Sequence, residues 1–481
     1  MKMNHGKKTS DESKLSAKST AEEKASIRCQ KYKNGLCDNC LSCMAIRSVV
    51  LAESPECKKS EDDEAREELG KKQAEKLRET VALLKSKVPY YSRLLKDIEV
   101  DDIQSIRDTE KLPFTTKEDL RCNYPFGLFA VPKEKLARIH ASSGTTGKPT
   151  VVGYTSGDID RWAEMIAQEL EAIGVTKEDT VQVAYGYGLF TGGLGLHYGA
   201  EKLGATVVPI STGNTAKQLQ LMQDFGTTVL ACTPSYALHL AEAGKDRGID
   251  FHKLPIRIGI LGAEPWTEEM RQEIEKAYGI KAYDIYGLSE IIGPGVGCEC
   301  SQRQGLHINE EHYIAEIIDP ETGAALDYGQ TGELVLTSIA KEAMPLLRYR
   351  TKDITTLYRE RCGCGSLNVR MDRVTGRSDD MLIIKGVNVF PSQIESVIMS
   401  MPKLLPHYNI VLSKKGKLDE LLVQVETELS CNDGAIAADN LKRNIMDITG
   451  IAAEIELLPP KTLPRSQGKI SRVTDLRYKT V

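Results

Sequence analysis

Apolar positions change their period along the chain in a readable order. From Glu64 onward Leu77, Val81, Leu84 and Val88 recur every three or four residues, which predicts an amphipathic helix ended by Pro89. Between Val151 and Gly287 short β-branched runs (TVQVAYG, ATVVPI, TVLACT, RIGILG, KAYDIYG) alternate with helical patterns (DIDRWAEMIAQELEAIG, TAKQLQLMQDFG, SYALHLAEAGKDRG, TEEMRQEIEKAYG). Each helical pattern closes on Gly, the usual C-terminal stop. Such alternation predicts a parallel sheet covered by helices on both faces. After Tyr313, YIAEIID and GELVLTS read as strands joined through a turn, an antiparallel sub-barrel. Past Asp379, SQIESVIMSM, YNIVLS, LLVQVET, GAIAADNLKRNIMDI and AEIELLP predict a smaller α+β unit.

The expected architecture is therefore α/β: a Lys/Ser/Glu-rich tail over residues 1–63, a large domain over 64–378 and a small domain over 379–481. The tail holds too few large apolar residues to build a core, so it is expected to be flexible or only locally ordered. At 481 residues the chain is long enough for two or three domains. With 41% hydrophobic and 27% charged residues it has the composition of a globular protein. Its 63 basic and 68 acidic residues nearly cancel, which gives no electrostatic case for nucleic acid or a membrane surface. No apolar run reaches membrane-span length and none follows the basic N-terminus as a secretory signal would, so a cytoplasmic location is expected.

The most informative octapeptide is Ser142-Ser143-Gly144-Thr145-Thr146-Gly147-Lys148-Pro149. Two glycines let backbone N–H groups approach phosphate oxygens, the hydroxyls add donors and Lys148 adds charge. It is not a Walker A loop: Ser142 stands where that motif needs Gly, and Pro149 where it needs Ser or Thr. The octapeptide resembles the phosphate-binding loop of the adenylate-forming superfamily, which includes acyl-CoA synthetases, luciferases and adenylation domains. Further motifs follow in that superfamily's order. Gly262-Ala263-Glu264-Pro265 resembles the adenine-side turn, and Tyr286-Gly287-Leu288-Ser289-Glu290 the YGxTE-type motif with Ser for Thr. Tyr349-Arg350-Thr351-Lys352-Asp353 is similar to the ribose-binding YRTGD motif, with Lys where Gly is usual. Gly376-Arg377-Ser378-Asp379-Asp380 resembles the interdomain hinge, and Pro464-Arg465-Ser466-Gln467-Gly468-Lys469 the C-terminal lysine motif. Within the superfamily, LPFTTKEDLRCNYPFGLFAVP, YGYGLFTGGLGLHYGAEKLGA, CTPSYALHLAE and GRSDDMLIIKGVNVFPSQIE look like the phenylacetate–CoA ligase family from about Lys71 to the C-terminus.

The resemblance implies two half-reactions. A carboxylate attacks the α-phosphate of ATP and expels pyrophosphate; coenzyme A then attacks the acyl-adenylate and expels AMP. Both centres are anionic, so positioning and charge neutralisation should dominate over acid–base work. Thr145, Thr146 and Lys148 would hold the β- and γ-phosphates, and Glu290 would bind Mg²⁺ as a hard oxygen ligand. Asp353 would accept the ribose hydroxyls, and Lys469 would place an ammonium near the α-phosphate. Asp284, Tyr286, Gly287, Ser289 and Arg377 complete the expected nucleotide set. Asp379 would be the hinge about which the small domain rotates, and Gly386 would line the coenzyme A tunnel without a side chain to block it. The acid, an aryl acid such as phenylacetate, should lie in an apolar pocket with contributions from Tyr124, Phe126, Phe190, Tyr236 and Ala263. A homodimer is compatible with the resemblance.

The 12 cysteines cluster rather than spread, which in a cytosolic chain points to metal or redox chemistry. Cys298, Cys300, His307, Cys362 and Cys364 make five candidate ligands, and a closed structural zinc site takes four. Cys300, His307, Cys362 and Cys364 are the expected set, since Cys300 and His307 lie beside the loop that CGCG would close against. Cys29, Cys37, Cys40 and Cys43 in the tail could hold zinc, an iron–sulfur cluster or nothing. Two alternatives to coenzyme A ligation stay open. One passes the acyl group to an amine or a carrier protein. The other makes the tail a metal-dependent interaction or redox module on a degenerate ligase body, against which Lys148, Glu290, Asp353 and Lys469 are all present.

Overall fold

A computed structural model of the protein describes residues 55–142, 149–379, 382–384, 387–415, 418–465 and 472–477. Among the described residues the first helix runs Pro55–Lys87, beginning before the apolar stripe does. Ahead of the stripe Glu67–Lys71 and Glu68–Lys72 pair at 2.7 Å one turn apart on the exposed face. The stripe then takes over, with Leu77, Val81, Leu84 and Val88 all buried. Pro89 ends this helix as expected and itself opens a short one, Pro89–Leu94. From Arg66 onward the chain forms one compact unit.

Among the described residues the main sheet has 13 strands. Its parallel half runs in the order Lys281–Leu288, Ile258–Gly262, Val229–Cys232, Thr180–Val183, Thr206–Val208, the β-branched runs of the sequence. Helices Ser156–Ala172, Thr215–Asp224, Pro234–Asp246 and Glu268–Tyr278 match the four helical patterns. Gly174, Gly226, Gly248 and Gly279 follow them at φ of +89°, +62°, +72° and +71°. A further helix, Gly192–Leu203, was not expected, because four glycines depress its propensity. Packing explains them. A Cβ on Gly195 would lie 2.4 Å from the Trp162 ring, and one on Gly199 would lie 2.1 Å from Ile166. The glycines let this helix lie directly against Ser156–Ala172.

The sheet continues antiparallel through Gly293–Glu299, Leu306–Ile308, Arg370–Met371, Tyr349–Tyr358, Thr331–Ser338, Tyr313–Ile318 and Ala325–Leu326. The strands expected after Tyr313 thus extend the hydrogen-bonded path of the parallel half. The C-terminal region has its own core, including Ile394, Val397, Ile410, Val423 and Leu441. There helices Pro391–Ser400 and Cys431–Thr449 pack on a sheet ordered Glu454–Leu458, Leu418–Thr427, Leu404–Lys415, Val473–Asp475. The last strand was not anticipated; three residues are too few for a periodic signal. No helix among the described residues is long and apolar enough to cross a membrane.

Candidate active site and metal centre

Sheet register brings together residues of three of the sequence motifs expected to bind nucleotide. Asp353 pairs with Arg377 across neighbouring strands, and the Arg377 Nη1 donates to Asp353 Oδ1 at 2.8 Å. The Tyr286 hydroxyl donates to Asp353 Oδ2 at 2.6 Å, and Arg377 also grips Asp379 through Nε at 2.8 Å and Nη2 at 3.0 Å. Tyr286, Asp353, Arg377 and Asp379, drawn from three separate motifs, therefore form one connected chain. Burial, then the Asp353 charge, raises the Tyr286 phenol well above its ordinary range, so it stays a donor. Lys352 sits at φ +69°, the left-handed conformation that favours the glycine usual at this motif position. Buried Glu333 holds it there, accepting from its backbone N–H at 3.2 Å and its Nζ at 3.5 Å.

The Tyr286–Glu290 segment turns sharply. A Cβ on Gly287 would come within 1.8 Å of the Gly293 carbonyl, so this residue must be glycine. Ser289 and Thr191 hydroxyls lie 3.0 Å apart. Glu290, with only 9% of its side chain exposed, pairs with Lys117 Nζ at 3.3 Å. A nearly buried hard carboxylate already facing a cation is a donor suited to Mg²⁺. Lys117 was missed in the sequence although it lies in PFTTKEDLR; nothing local says that its partner is 173 positions away.

On the adenine side, Ala263 follows the strand Ile258–Gly262 at φ +68°, and Glu264 Oε1 accepts the Ser235 N–H at 2.7 Å. Asp284 is buried, its carboxyl pushed up to about 7 by desolvation and by the neighbouring Glu299. Glu299 binds Arg271 with both oxygens, at 2.6 and 2.8 Å, and accepts the Asp284 N–H at 2.8 Å. Tyr124, Phe126 and Phe190 are each about two-fifths exposed, while Tyr236 is a core residue whose hydroxyl donates to the Gly213 carbonyl at 3.0 Å. Ser143, Gly144, Thr145, Thr146, Gly147, Lys148, Asp380, Gly386 and Lys469 lie outside the described residues, as do Cys29, Cys37, Cys40 and Cys43. Ser142 ends the strand Arg138–Ser142.

Cys300, His307, Cys362 and Cys364 converge, their ligand atoms all within 4.8 Å of one another. Cys300 and Cys362 sulfurs are 3.7 Å apart, and Cys364 Sγ is 3.6 Å from His307 Nε2. A tetrahedral zinc with ordinary bond lengths would set about 3.8 Å between sulfurs and about 3.6 Å between sulfur and nitrogen. The donor set and its spacing fit that ion. The Cys362–Ser366 turn closes through Cys362 N–H to Ser366 O at 3.0 Å and Gly365 N–H to Cys362 O at 2.9 Å. Burial, and secondarily Arg370, pulls His307 down to about 4, so its imidazole is neutral. Cys298, the fifth candidate, is buried in the main hydrophobic core instead.

This fold and this site define an AMP-binding, adenylate-forming enzyme. A family profile described as AMP-binding enzyme matches residues 40–340, and one described as AMP-binding enzyme C-terminal domain matches 386–477. The chain is 50% identical to the phenylacetate–coenzyme A ligase of Thermus thermophilus over 86% of this chain and 97% of that enzyme. It is 48% identical to the phenylacetate–coenzyme A ligase of Escherichia coli, over 85% and 95%. The chain belongs to the phenylacetate–coenzyme A ligase family. Among solved structures, 2-hydroxyisobutyryl-CoA ligase in the postadenylation state superposes with a TM-score of 0.80 at 26% identity, covering 84% of this chain and 89% of that one. The same enzyme with CoA in its thioesterification state gives 0.63 over the same shares.

Proposed function

We infer that the chain activates phenylacetate, or a closely related aryl acid, with ATP and delivers it to coenzyme A. The connected Tyr286–Asp353–Arg377–Asp379 chain carries this reading, because it joins a ribose-binding carboxylate directly to the interdomain hinge. In the first step a carboxylate oxygen of the acid bonds to the α-phosphorus while the bond to pyrophosphate breaks. In the second the coenzyme A sulfur bonds to the acyl carbon, the carbon–oxygen bond to AMP breaks, and the thiol proton leaves to solvent.

Thr145, Thr146 and Lys148 hold the β- and γ-phosphates, Asp353 accepts the ribose hydroxyls, and Asp284 and Glu264 flank the adenine-side turn. Lys469 neutralises charge between the acid and the α-phosphate, and Gly386 leaves room for the pantetheine arm in the second step. Mg²⁺ bound at Glu290 supplies charge neutralisation to the phosphate oxygens. Cys300, His307, Cys362 and Cys364 hold a structural Zn²⁺. Tyr124, Phe126, Phe190, Tyr236 and Ala263 contribute to the acyl side. The higher TM-score with the postadenylation state favours assigning this arrangement of domains to the first half-reaction.

The test is a panel of aryl and aliphatic acids with MgATP, with and without coenzyme A, following pyrophosphate, AMP and thioester. A CoA-dependent thioester from phenylacetate or a near relative is expected. Pyrophosphate release without thioester would move the acceptor to an amine or a carrier protein, and no turnover with any acid would overturn the reading.

A further inference from the structure

Lys341 is buried, 7% exposed, and its ammonium donates to the Ile291 carbonyl at 2.6 Å, one residue past Glu290. It lies 4.5 Å from the centre of the Tyr154 ring, and the Tyr154 hydroxyl donates to the next carbonyl, Ile292, at 2.7 Å. Trp162, stacked on Tyr154 with ring centres 5.4 Å apart, donates its Nε1–H to the Pro294 carbonyl at 2.8 Å. The turn after Glu290 is thus gripped from behind by three side chains, while its own N–H groups at Ile291 and Ile292 return to the Leu288 carbonyl at 3.1 and 3.2 Å.

The lysine is delivered by design of the backbone. Buried Asp158 accepts the Glu342 and Ala343 N–H groups at 2.7 and 3.0 Å, which anchors the loop from which Lys341 points inward. Among the described residues its buried ammonium is met by the Ile291 carbonyl and the Tyr154 ring rather than by a carboxylate at ion-pair distance. Burial accordingly draws its basicity down to about 8, while Asp158 and Glu290 act the other way. A methionine would fill the same space with no desolvation cost. The ammonium therefore does something that volume alone would not.

We propose that Lys341 is a positioning residue for the metal-binding carboxylate: by clamping the Ile291 carbonyl it fixes the direction of Glu290 and places a positive charge behind it. This rests on reading Glu290 as the Mg²⁺ ligand. Such a device keeps a strongly charged carboxylate preorganised between turnovers, so that no reorientation is needed when MgATP arrives.

The test is ATP binding by calorimetry to the full chain, with and without Mg²⁺, for wild type, Lys341→Met, Tyr154→Phe and Glu290→Gln. The Mg²⁺-dependent gain in ATP affinity should fall about tenfold in Lys341→Met, the worth of one charge-assisted hydrogen bond, and less in Tyr154→Phe. Metal-free ATP affinity should be unchanged. A merely structural lysine would leave the Mg²⁺ gain intact, whatever the change in melting temperature, which would overturn the proposal. If Glu290→Gln keeps the Mg²⁺ gain, the metal reading of Glu290 itself is wrong; if it loses the gain while Lys341→Met keeps it, only the positioning role is wrong. Should Lys341→Met not fold, Tyr154→Phe decides: an unchanged Mg²⁺ gain there refutes the clamp.

Discussion

Asp353 owes its capacity to what it is not free to do. Tyr286 and Arg377 each hold one of its oxygens, at 2.6 and 2.8 Å, so the carboxylate presents its remaining lone pairs in one fixed plane. On the proposed reading that Asp353 accepts the ribose hydroxyls, Asp353→Ala should cost about 2–4 kcal/mol of transition-state binding, or roughly 30- to 1000-fold in kcat/KM for ATP. Loss of only a few-fold would place the ribose elsewhere. Asp284 makes a different statement, about pH. Its carboxyl titrates near 7 in the fold, because burial first and Glu299 second disfavour its charge, against about 3.9 in an unfolded chain. The folded state therefore binds that proton more tightly. The stability this contributes is full below about pH 4 and is lost as pH rises through 7. Asp284→Asn should flatten that dependence, by an amount on the order of a few kcal/mol between pH 5 and 8 in urea unfolding of the ligand-free chain. Equal slopes for variant and wild type would show that Asp284 is not the group responsible.

At the scale of elements, the cysteine cluster depends on two segments that have little structure of their own. One is the connection between Gly293–Glu299 and Leu306–Ile308; the other is the CGCG turn between Tyr349–Tyr358 and Arg370–Met371. Register brings them together, since His307 pairs with Arg370. A bound metal would tie the loop after Gly293–Glu299 and the strand Leu306–Ile308 to the CGCG turn, inside the antiparallel half of the sheet. Cys362→Ser should drop zinc from about one per chain to near none, and should lower thermal stability by several degrees, as expected for loss of a structural ion. A metal assay unchanged by that substitution would remove zinc from this site. The five parallel strands and their four helices were legible because Gly punctuation and a clear change of period agree along the chain. Helix Gly192–Leu203 was not, since its glycines serve contacts with Trp162 and Ile166 that no local window contains. The nucleotide motifs were legible as words, but their joining was not: only the sheet register reveals that Asp353 faces Arg377. Lys117, Tyr154 and Lys341 stayed invisible for the same reason, as each acts on a partner far along the chain.

At the scale of the whole molecule, the C-terminal region contacts the large domain through ions on one helix, Pro234–Asp246, and through Met399 of helix Pro391–Ser400, packed on the core beside it. Lys461 meets Asp246 at 2.5 Å, Arg465 meets Glu242 at 3.4 Å, and His407 lies 3.6 Å from Glu242. Arg465 is also fixed from its own side by buried Glu426 at 2.8 Å, so pulling on Glu242 pulls on the segment that leads to Lys469 four residues later. On the proposed reading, in which the small domain turns between the two half-reactions, these contacts form in the present orientation and have to break in the other. Lys461–Asp246 is an exposed pair worth at most about 1 kcal/mol, and Arg465–Glu242 is partly buried, so the contacts are weak enough to break in every cycle. Replacing both Glu242 and Asp246 by Ala should therefore leave the fold intact and bias the domains away from this orientation. Acid-dependent exchange of pyrophosphate into ATP should fall about three- to tenfold, consistent with losing one or two such pairs. On that reading thioester formation from supplied acyl-adenylate and coenzyme A, the step assigned to the other orientation, should hold steady or rise. The split between the two assays is the diagnostic. A parallel fall in both would make the contacts ordinary surface pairs, and no change in either would mean that apolar packing of the Pro391–Ser400 helix sets the orientation alone.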